Sequence, residues 1–226
     1  MKKLLPLILF FQLTTVAVFA QSQSDSNYSI GLKLLSVDEQ PKLLNEVRGN
    51  SNFYLSGLNG LMFKVNDNQI SYRFSAYTFE KDDYSFANEC LDCEAVQGEY
   101  NSLDLKIGFE RSLIYSRVQP IYGMDMGFKR VNFNGTATDQ ASGSYIYDVN
   151  IEKNGISFNP FIGVKFNFVR SLTLSAEAGF DFIYTSDKET KTGVSNTRIS
   201  NSSFNRWQYN SRPLAQLSLQ YNFGKD

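Results

Sequence analysis

The feature that most constrains this chain is a strict alternation of apolar and polar residues, repeated in segment after segment. In 171–186, apolar side chains from Leu172 to Tyr184 fall on one parity, while Glu177 and Asp181 fall on the other. A period of two places successive side chains on opposite faces of an extended strand. The pattern recurs in 28–35, 53–65, 70–79, 103–110, 118–129, 156–168, 171–186 and 214–223. The chain is therefore predicted to be all-β.

The connections between these segments alternate in length. Three are short, at 66–68, 112–116 and 169–170, and four are long, at 38–52, 82–97, 134–154 and 187–208. Strands of about ten residues, an even strand number, and short turns at one end with long loops at the other are typical of outer-membrane barrels. We therefore predict an eight-stranded antiparallel up-and-down transmembrane β-barrel, with short periplasmic turns and long extracellular loops.

The third long connection has a pattern of its own. Val131 to Phe133 continues the alternation of the fifth segment, and Tyr145 to Ile151 alternates ahead of the sixth. Between them, 139–143 is rich in turn-forming residues. We expect these two stretches to form a hairpin that projects beyond the membrane, with an irregularity at 153–155.

The first 20 residues have the features of an export signal. Met1-Lys2-Lys3 is basic, the following stretch to Phe19 is mostly apolar, and Ala20 precedes Gln21. This pattern predicts a signal peptide at 1–20 that is cleaved after Ala20, and a membrane anchor is the alternative. The mature chain then has a short polar segment at 21–27 and a barrel domain at 28–226.

Composition excludes several classes of function. The chain contains no histidine, which removes the commonest general base and every histidine-ligated metal site. Lys and Arg number 22 against 23 Asp and Glu, so there is no basic excess to bind nucleic acid. Glu177 and Asp181 lie four positions apart on one strand, or about 13 Å, which exceeds the separation of glycosidase carboxylates. We expect no catalytic residues, no cofactor, no resident metal and no nucleic-acid partner.

Cys90 and Cys93 form a C-x-x-C motif in the second long connection. In an oxidising compartment such a pair is predicted to form a disulfide that staples the loop. A metal site would need further ligands, for which only carboxylates such as Glu89 and Glu94 are near in sequence. A redox role would need a thioredoxin-like βαβ context, which the pattern lacks. Both remain alternatives.

Eleven charged residues share the polar faces of the predicted strands. They are Lys33, Lys64, Arg73, Asp104, Lys106, Glu110, Asp125, Lys129, Lys165, Glu177 and Asp181. An eight-stranded barrel is just wide enough for its side chains to fill it, and unpaired buried charge is costly. We therefore expect a network of mutual salt bridges that plugs the interior, and a path for protons or ions is the alternative.

In these features the chain resembles the small eight-stranded outer-membrane β-barrel family, in particular the barrels common in Bacteroidota. The resemblance covers 28–223 and rests on the strand pattern. The last strand ends in Leu219-Gln220-Tyr221-Asn222-Phe223, similar to the aromatic ending that the barrel-assembly machinery reads in this family, but Gly224-Lys225-Asp226 follow. The resemblance implies a location in the cell outer membrane, and as partners outer-membrane lipid and, during insertion, the assembly machinery.

The leading hypothesis for function is a monomeric, non-enzymatic outer-membrane barrel whose surface loops bind, adhere or protect. The phospholipase, omptin, palmitoyltransferase and lipid A deacylase families of barrel enzymes rely on a catalytic histidine, which this chain lacks. One alternative is a narrow pore for ions or small solutes. A second alternative is a secreted lipocalin-like carrier of an apolar ligand.

Overall fold

A computed structural model describes residues 26–44, 46–47, 53–88, 94–193 and 198–224. The predicted signal peptide, Cys90 and Cys93 lie outside the described residues. The regular structure of the described part of the chain consists of strands. Within these residues, no helix is long and apolar enough to cross a membrane.

Eight long antiparallel strands and one short strand form a single sheet. Their bounds are β1 Tyr28–Glu39, β2 Glu46–Val47, β3 Phe53–Asp67, β4 Ile70–Asn88, β5 Glu94–Ser112, β6 Val118–Asp139, β7 Tyr145–Val169, β8 Leu172–Thr192 and β9 Arg198–Phe223. The two-residue strand β2 pairs only with the far end of β4 in this part of the chain. Each long strand otherwise pairs with the strands on either side of it, in up-and-down order.

The sheet closes on itself between its first and last strands. Tyr28 of β1 lies opposite Phe223 of β9 on one side and opposite Val65 of β3 on the other. Closure gives the backbone groups of every strand a partner at this level, which a sheet in hydrocarbon requires. The prediction of an eight-stranded antiparallel up-and-down barrel is confirmed.

The two ends of the barrel differ as the connection lengths predicted. At one end the chain turns tightly, for example at Asn68, whose backbone φ of 55° lies in the left-handed region that asparagine tolerates. At the other end the strands are far longer than their alternating segments suggested. Within the described residues, the stretches predicted as loops at 82–97, 134–154 and 187–208 consist mostly of paired strand. β4 continues to Asn88, β5 begins at Glu94, 140–144 separate β6 from β7, β8 continues to Thr192 and β9 begins at Arg198.

The strands were predicted too short because the polarity of their two faces inverts partway along. Near the turns, outward side chains are apolar and inward ones polar: Ile107 is 67% exposed, while Lys64 is 1% exposed. Farther along the same strands the outward side chains are polar. The change falls at Glu80, Asn101, Arg130, Asn154, Ser186 and Asn205, of which the last four are paired across successive strands. We call the part with apolar outward residues the membrane section and the rest the projecting section.

The projecting section contains an ordinary hydrophobic core. Its inward side chains include Tyr84, Tyr100, Phe133 and Ile151, each nearly inaccessible to solvent. Tyr84 stacks on Tyr100 with ring centroids 4.9 Å apart. The predicted hairpin of β6 and β7 therefore exists, but its pairing runs unbroken through 153–155, so the expected irregularity there is wrong.

The ring is incomplete in the projecting section. Within the described residues, the pairing of β3 with β4 begins at Gly60 opposite Tyr77 and continues toward the tight turn at Asn68. The pairing of β1 with β9 ends at Val37 opposite Leu214. Strands β4 to β9 continue as a curved six-stranded wall. The segment after β1 enters the hollow of this wall, where Leu43 and Leu44 join the hydrophobic core.

Candidate functional site

All eleven charged residues singled out from the sequence lie on the inner side of the barrel. Each is less than a tenth exposed, apart from Lys165, whose side chain is 12% exposed. They fall into two groups at different heights. We call these groups the Arg73 network and the Arg212 network, after the residue at the centre of each.

In the Arg73 network, one guanidinium joins three strands. Arg73 on β4 donates two hydrogen bonds to Asp125, at 2.7 and 2.5 Å, and two to Glu177, at 3.0 and 2.8 Å. The planar guanidinium suits such paired contacts with carboxylates. Its central carbon also lies 3.8 Å from the ring centroid of Phe161, a cation–π contact that covers one face of the guanidinium.

Glu110 completes the Arg73 network. Its carboxylate accepts hydrogen bonds from Lys64 at 2.5 Å and from Lys165 at 2.7 Å, and it lies 3.5 Å from Arg73. Three cations and three anions thus meet in a region closed to solvent, and their formal charges sum to zero. Pairing of this kind offsets the cost of removing the charges from water.

The Arg212 network includes two residues that the sequence interpretation missed. Arg212 on β9 contacts Asp38 at 2.7 Å and Asp181 at 3.2 Å. Lys33 lies 3.5 Å from the same Asp38. Lys106 reaches both Asp104 at 3.1 Å and Asp181 at 3.8 Å. Lys129 on β6 lies directly opposite Asp104 on β5.

Asp38 and Arg212 were missed because both lie beside irregularities. The register of β1 shifts between Lys33 and Leu35, so the inward parity changes from odd to even and brings Asp38 inside. Arg212 lies just before the alternating segment at 214–223, next to Pro213 and to a shift in the β8–β9 register. The available signal for Arg212 was its even position, which it shares with Gln216, Ser218 and Gln220 on the inward face of the same strand.

Little space remains between these side chains. Two cavities lie within the networks, with volumes of about 20 and about 10 Å³. Each is the size of about one water molecule. Tyr77 helps to fill the interior between the networks, where its hydroxyl donates to Gln216 at 2.9 Å and its ring lies 4.6 Å from the Lys33 ammonium. The interior is therefore a packed, ion-paired plug.

A third charged group lies in the projecting section, at the end of the barrel away from the tight turns. We call this end the mouth and the group the mouth cluster. Lys153 and Arg206 both bind Asp187, at 2.6 and 2.7 Å. The same two cations donate to the backbone carbonyl of Lys42, at 2.6 and 2.7 Å, and Arg206 also donates to the carbonyl of Leu44. These bonds hold the segment after β1 inside the mouth.

The electrostatics of the mouth cluster follow from its burial. Burial, with a further contribution from the neighbouring Arg206, lowers the pKa of Lys153 from 10.5 to about 8. The Asp187 carboxylate acts in the opposite direction. Sequence reasoning assigned Asp187 and Arg206 to a loop and Lys153 to the end of one, so the mouth cluster was not foreseen.

Nothing in the described residues assembles a metal centre: no group of three His, Cys, Asp or Glu side chains lies close enough together to hold an ion. The charged side chains instead form ion pairs with one another. Each carboxylate of the Arg73 network and the mouth cluster contacts at least one cation. What this arrangement can do is resist the entry of water and ions.

The closed ring, the apolar outward belt and the ion-paired interior define a β-barrel of the outer-membrane class. No protein-family model and no curated protein sequence gives a significant match to the chain. The crystal structure of a major outer membrane protein from Thermus thermophilus is similar, with a TM-score of 0.53 and 12% sequence identity. The match covers 87% of this chain and 99% of that chain, and it supports the fold alone.

Proposed function

We propose that the mature protein is a monomeric, non-enzymatic integral protein of the cell outer membrane, with a sealed interior and a projecting section that binds, adheres or protects at the surface. The observation that carries this proposal is the double closure of the barrel. The Arg73 and Arg212 networks fill the membrane section, and Leu43 and Leu44 fill the mouth.

The narrow pore is less well supported than a sealed barrel. A continuous water path would have to separate Arg73 from Asp125 and Glu177, and then Arg212 from Asp38 and Asp181. Each separation leaves charges uncompensated in a poorly solvated interior. Cavities of about 20 and about 10 Å³ give ions no room to pass while these pairs persist.

A soluble lipocalin-like carrier is disfavoured by the orientation of the faces. Such a carrier turns apolar side chains inward around its ligand and polar side chains toward water. Here the membrane section has the reverse arrangement: Ile162 is 68% exposed on the outside, while Glu110 and Lys64 are buried inside. An apolar belt of this extent on a water-soluble surface would promote association.

The projecting section is suited to present residues rigidly at the surface. Its inward core holds the strands in place, so the tips between strands are carried on a fixed scaffold. At the tip between β6 and β7, the Asp139 carboxylate accepts hydrogen bonds from the backbone N–H groups of Ala141 and Ser142. A preorganised tip loses less entropy when it binds a partner.

Cell fractionation tests the location. The folded protein should remain with outer membranes and migrate anomalously on gels unless boiled, and protease added to intact cells should cut at 140–144 but not at the tight turn of 169–171. Recovery in the soluble fraction would contradict the proposal and favour a secreted carrier.

Planar bilayers test the sealed interior. The purified monomer should give no long-lived conductance steps, whereas a variant with Arg73→Met and Arg212→Met should conduct more often because the ion pairs that close the membrane section are removed. Stable conductance of the wild-type monomer would refute the sealed interior and support the pore.

A further inference from the structure

The wall of the barrel is locally weakened around one glycine in the membrane section. Gly179 of β8 lies opposite Phe161 of β7 on one side and opposite Arg212 of β9 on the other. Pro160 precedes the first partner and Pro213 follows the second, and proline has no N–H to donate. The β8–β9 register also shifts between Glu177 and Gly179. The hydrogen-bond ladder is therefore interrupted on both sides of the same residue.

A groove of about 320 Å³ lies on this part of the wall. Its outward lining includes Pro160, Ile162, Ala178, Phe180, Ser211 and Pro213. A Cβ placed on Gly179 would lie 2.4 Å from the Pro160 carbonyl oxygen and 3.1 Å from Phe161 Cβ. Because only glycine fits that position, the close approach of β7 and β8 that forms the floor of the groove depends on it.

The groove is blind on its inner side. Arg212 and Phe161 form the wall between it and the interior. Arg212 is held by Asp38 and Asp181, and Phe161 is covered by the guanidinium of Arg73. The cavity behind this wall is only about 10 Å³. The groove is therefore a binding surface on the outside of the barrel rather than an entrance to the interior.

The position of the groove determines what fills it. Ile162 lies in the middle of the apolar outward row that runs from Ile156 to Phe168 on β7. The surroundings at this depth are hydrocarbon, and the outward polar side chain in the lining, Ser211, lies toward the projecting section. We propose that the groove binds one acyl chain of a diacyl membrane lipid. This inference rests on the membrane placement proposed above, and the groove volume falls in the range of small-molecule sites.

Photocrosslinking tests the groove. The protein is reconstituted in bilayers that contain a phosphatidylethanolamine with a diazirine in one acyl chain, and the crosslinked peptides are mapped by mass spectrometry. Crosslinks should concentrate on Ala178, Phe180 and Pro213. Ala178→Phe should lose them because the ring fills the groove, whereas Ala176→Phe, on the same face but outside the groove, should retain them.

Other outcomes overturn the proposal in distinct ways. Uniform labelling around the belt, or equal labelling of both variants, would show that no chain is held. Labelling by a diazirine fatty acid but not by the diacyl lipid would assign the groove to a free ligand, and loss of labelling with a crosslinked dimer would assign it to a second copy. A wild-type protein that fails to insert or to show heat-modifiable migration would instead refute the membrane placement.

Discussion

Replacing Arg73 by methionine is the sharpest test of the ion-paired interior. The guanidinium contributes one of three positive charges that balance Glu110, Asp125 and Glu177, while Lys64 and Lys165 supply the other two. In the variant, three carboxylates face two ammonium groups, so the network carries one uncompensated negative charge. Breaking a buried ion pair by removing one partner costs about 3–5 kcal/mol.

A second substitution separates lost charge balance from lost packing. Arg73→Met combined with Glu177→Gln leaves two cations and two anions, so the network is neutral again. We expect this double variant to recover part of the stability that the single variant loses. Arg73→Lys keeps the charge but loses the paired geometry with Asp125, so its loss should be intermediate.

The assay is reversible urea unfolding in detergent micelles or lipid vesicles, followed by tryptophan fluorescence and by the heat-modifiable gel shift. The midpoint should fall most for Arg73→Met, less for Arg73→Lys, and less for the double variant than for the single one. The electrostatic account would be refuted by an unchanged midpoint for Arg73→Met. It would also be refuted by a double variant that is less stable than the wild type by the sum of the losses measured for Arg73→Met and Glu177→Gln alone.

Three other predictions address the belt, the loop and the mouth. Ile107→Arg should destabilise the inserted barrel by about 2–4 kcal/mol because it faces the middle of the belt, whereas Asn101→Arg, outward in the projecting section, should be tolerated in the same unfolding assay. Cys90 and Cys93 should resist maleimide labelling until a reductant is added, and labelling of both without reductant would refute the disulfide. Between pH 8 and about 10, folded Lys153 is neutral while the unfolded chain still binds the proton, so the free energy of unfolding should rise with pH by this contribution. Lys153→Met should flatten that rise, and identical slopes for the two proteins would contradict the lowered pKa.

Alternation alone predicted the barrel because a period of two assigns each side chain to a face without knowledge of its neighbours. Lys64, Glu110 and Glu177 could therefore be assigned to the inside before any partner was known. The lengths of the connections added the strand order and the two unlike ends. These are local properties of the chain, and the structure agrees with the strand order that they predict.

The ion pairs, by contrast, depend on register. Arg73 meets Asp125 and Glu177 across residue separations of 52 and 104, and no spacing along the chain encodes such contacts. A bulge in β1 changes the inward parity and brings Asp38 to Arg212, which a uniform period of two cannot anticipate.

The inversion of the two faces has the same origin. From Tyr100 to Glu110 on β5 the inward parity never changes, yet it passes from aromatic to charged. Which residue type belongs outside is decided by the medium that surrounds each level of the barrel; in the proposed outer-membrane location this medium is hydrocarbon around the membrane section and water beyond it. Only the closed ring, with its strands aligned in register, brings the residues of one level together and shows where that medium changes.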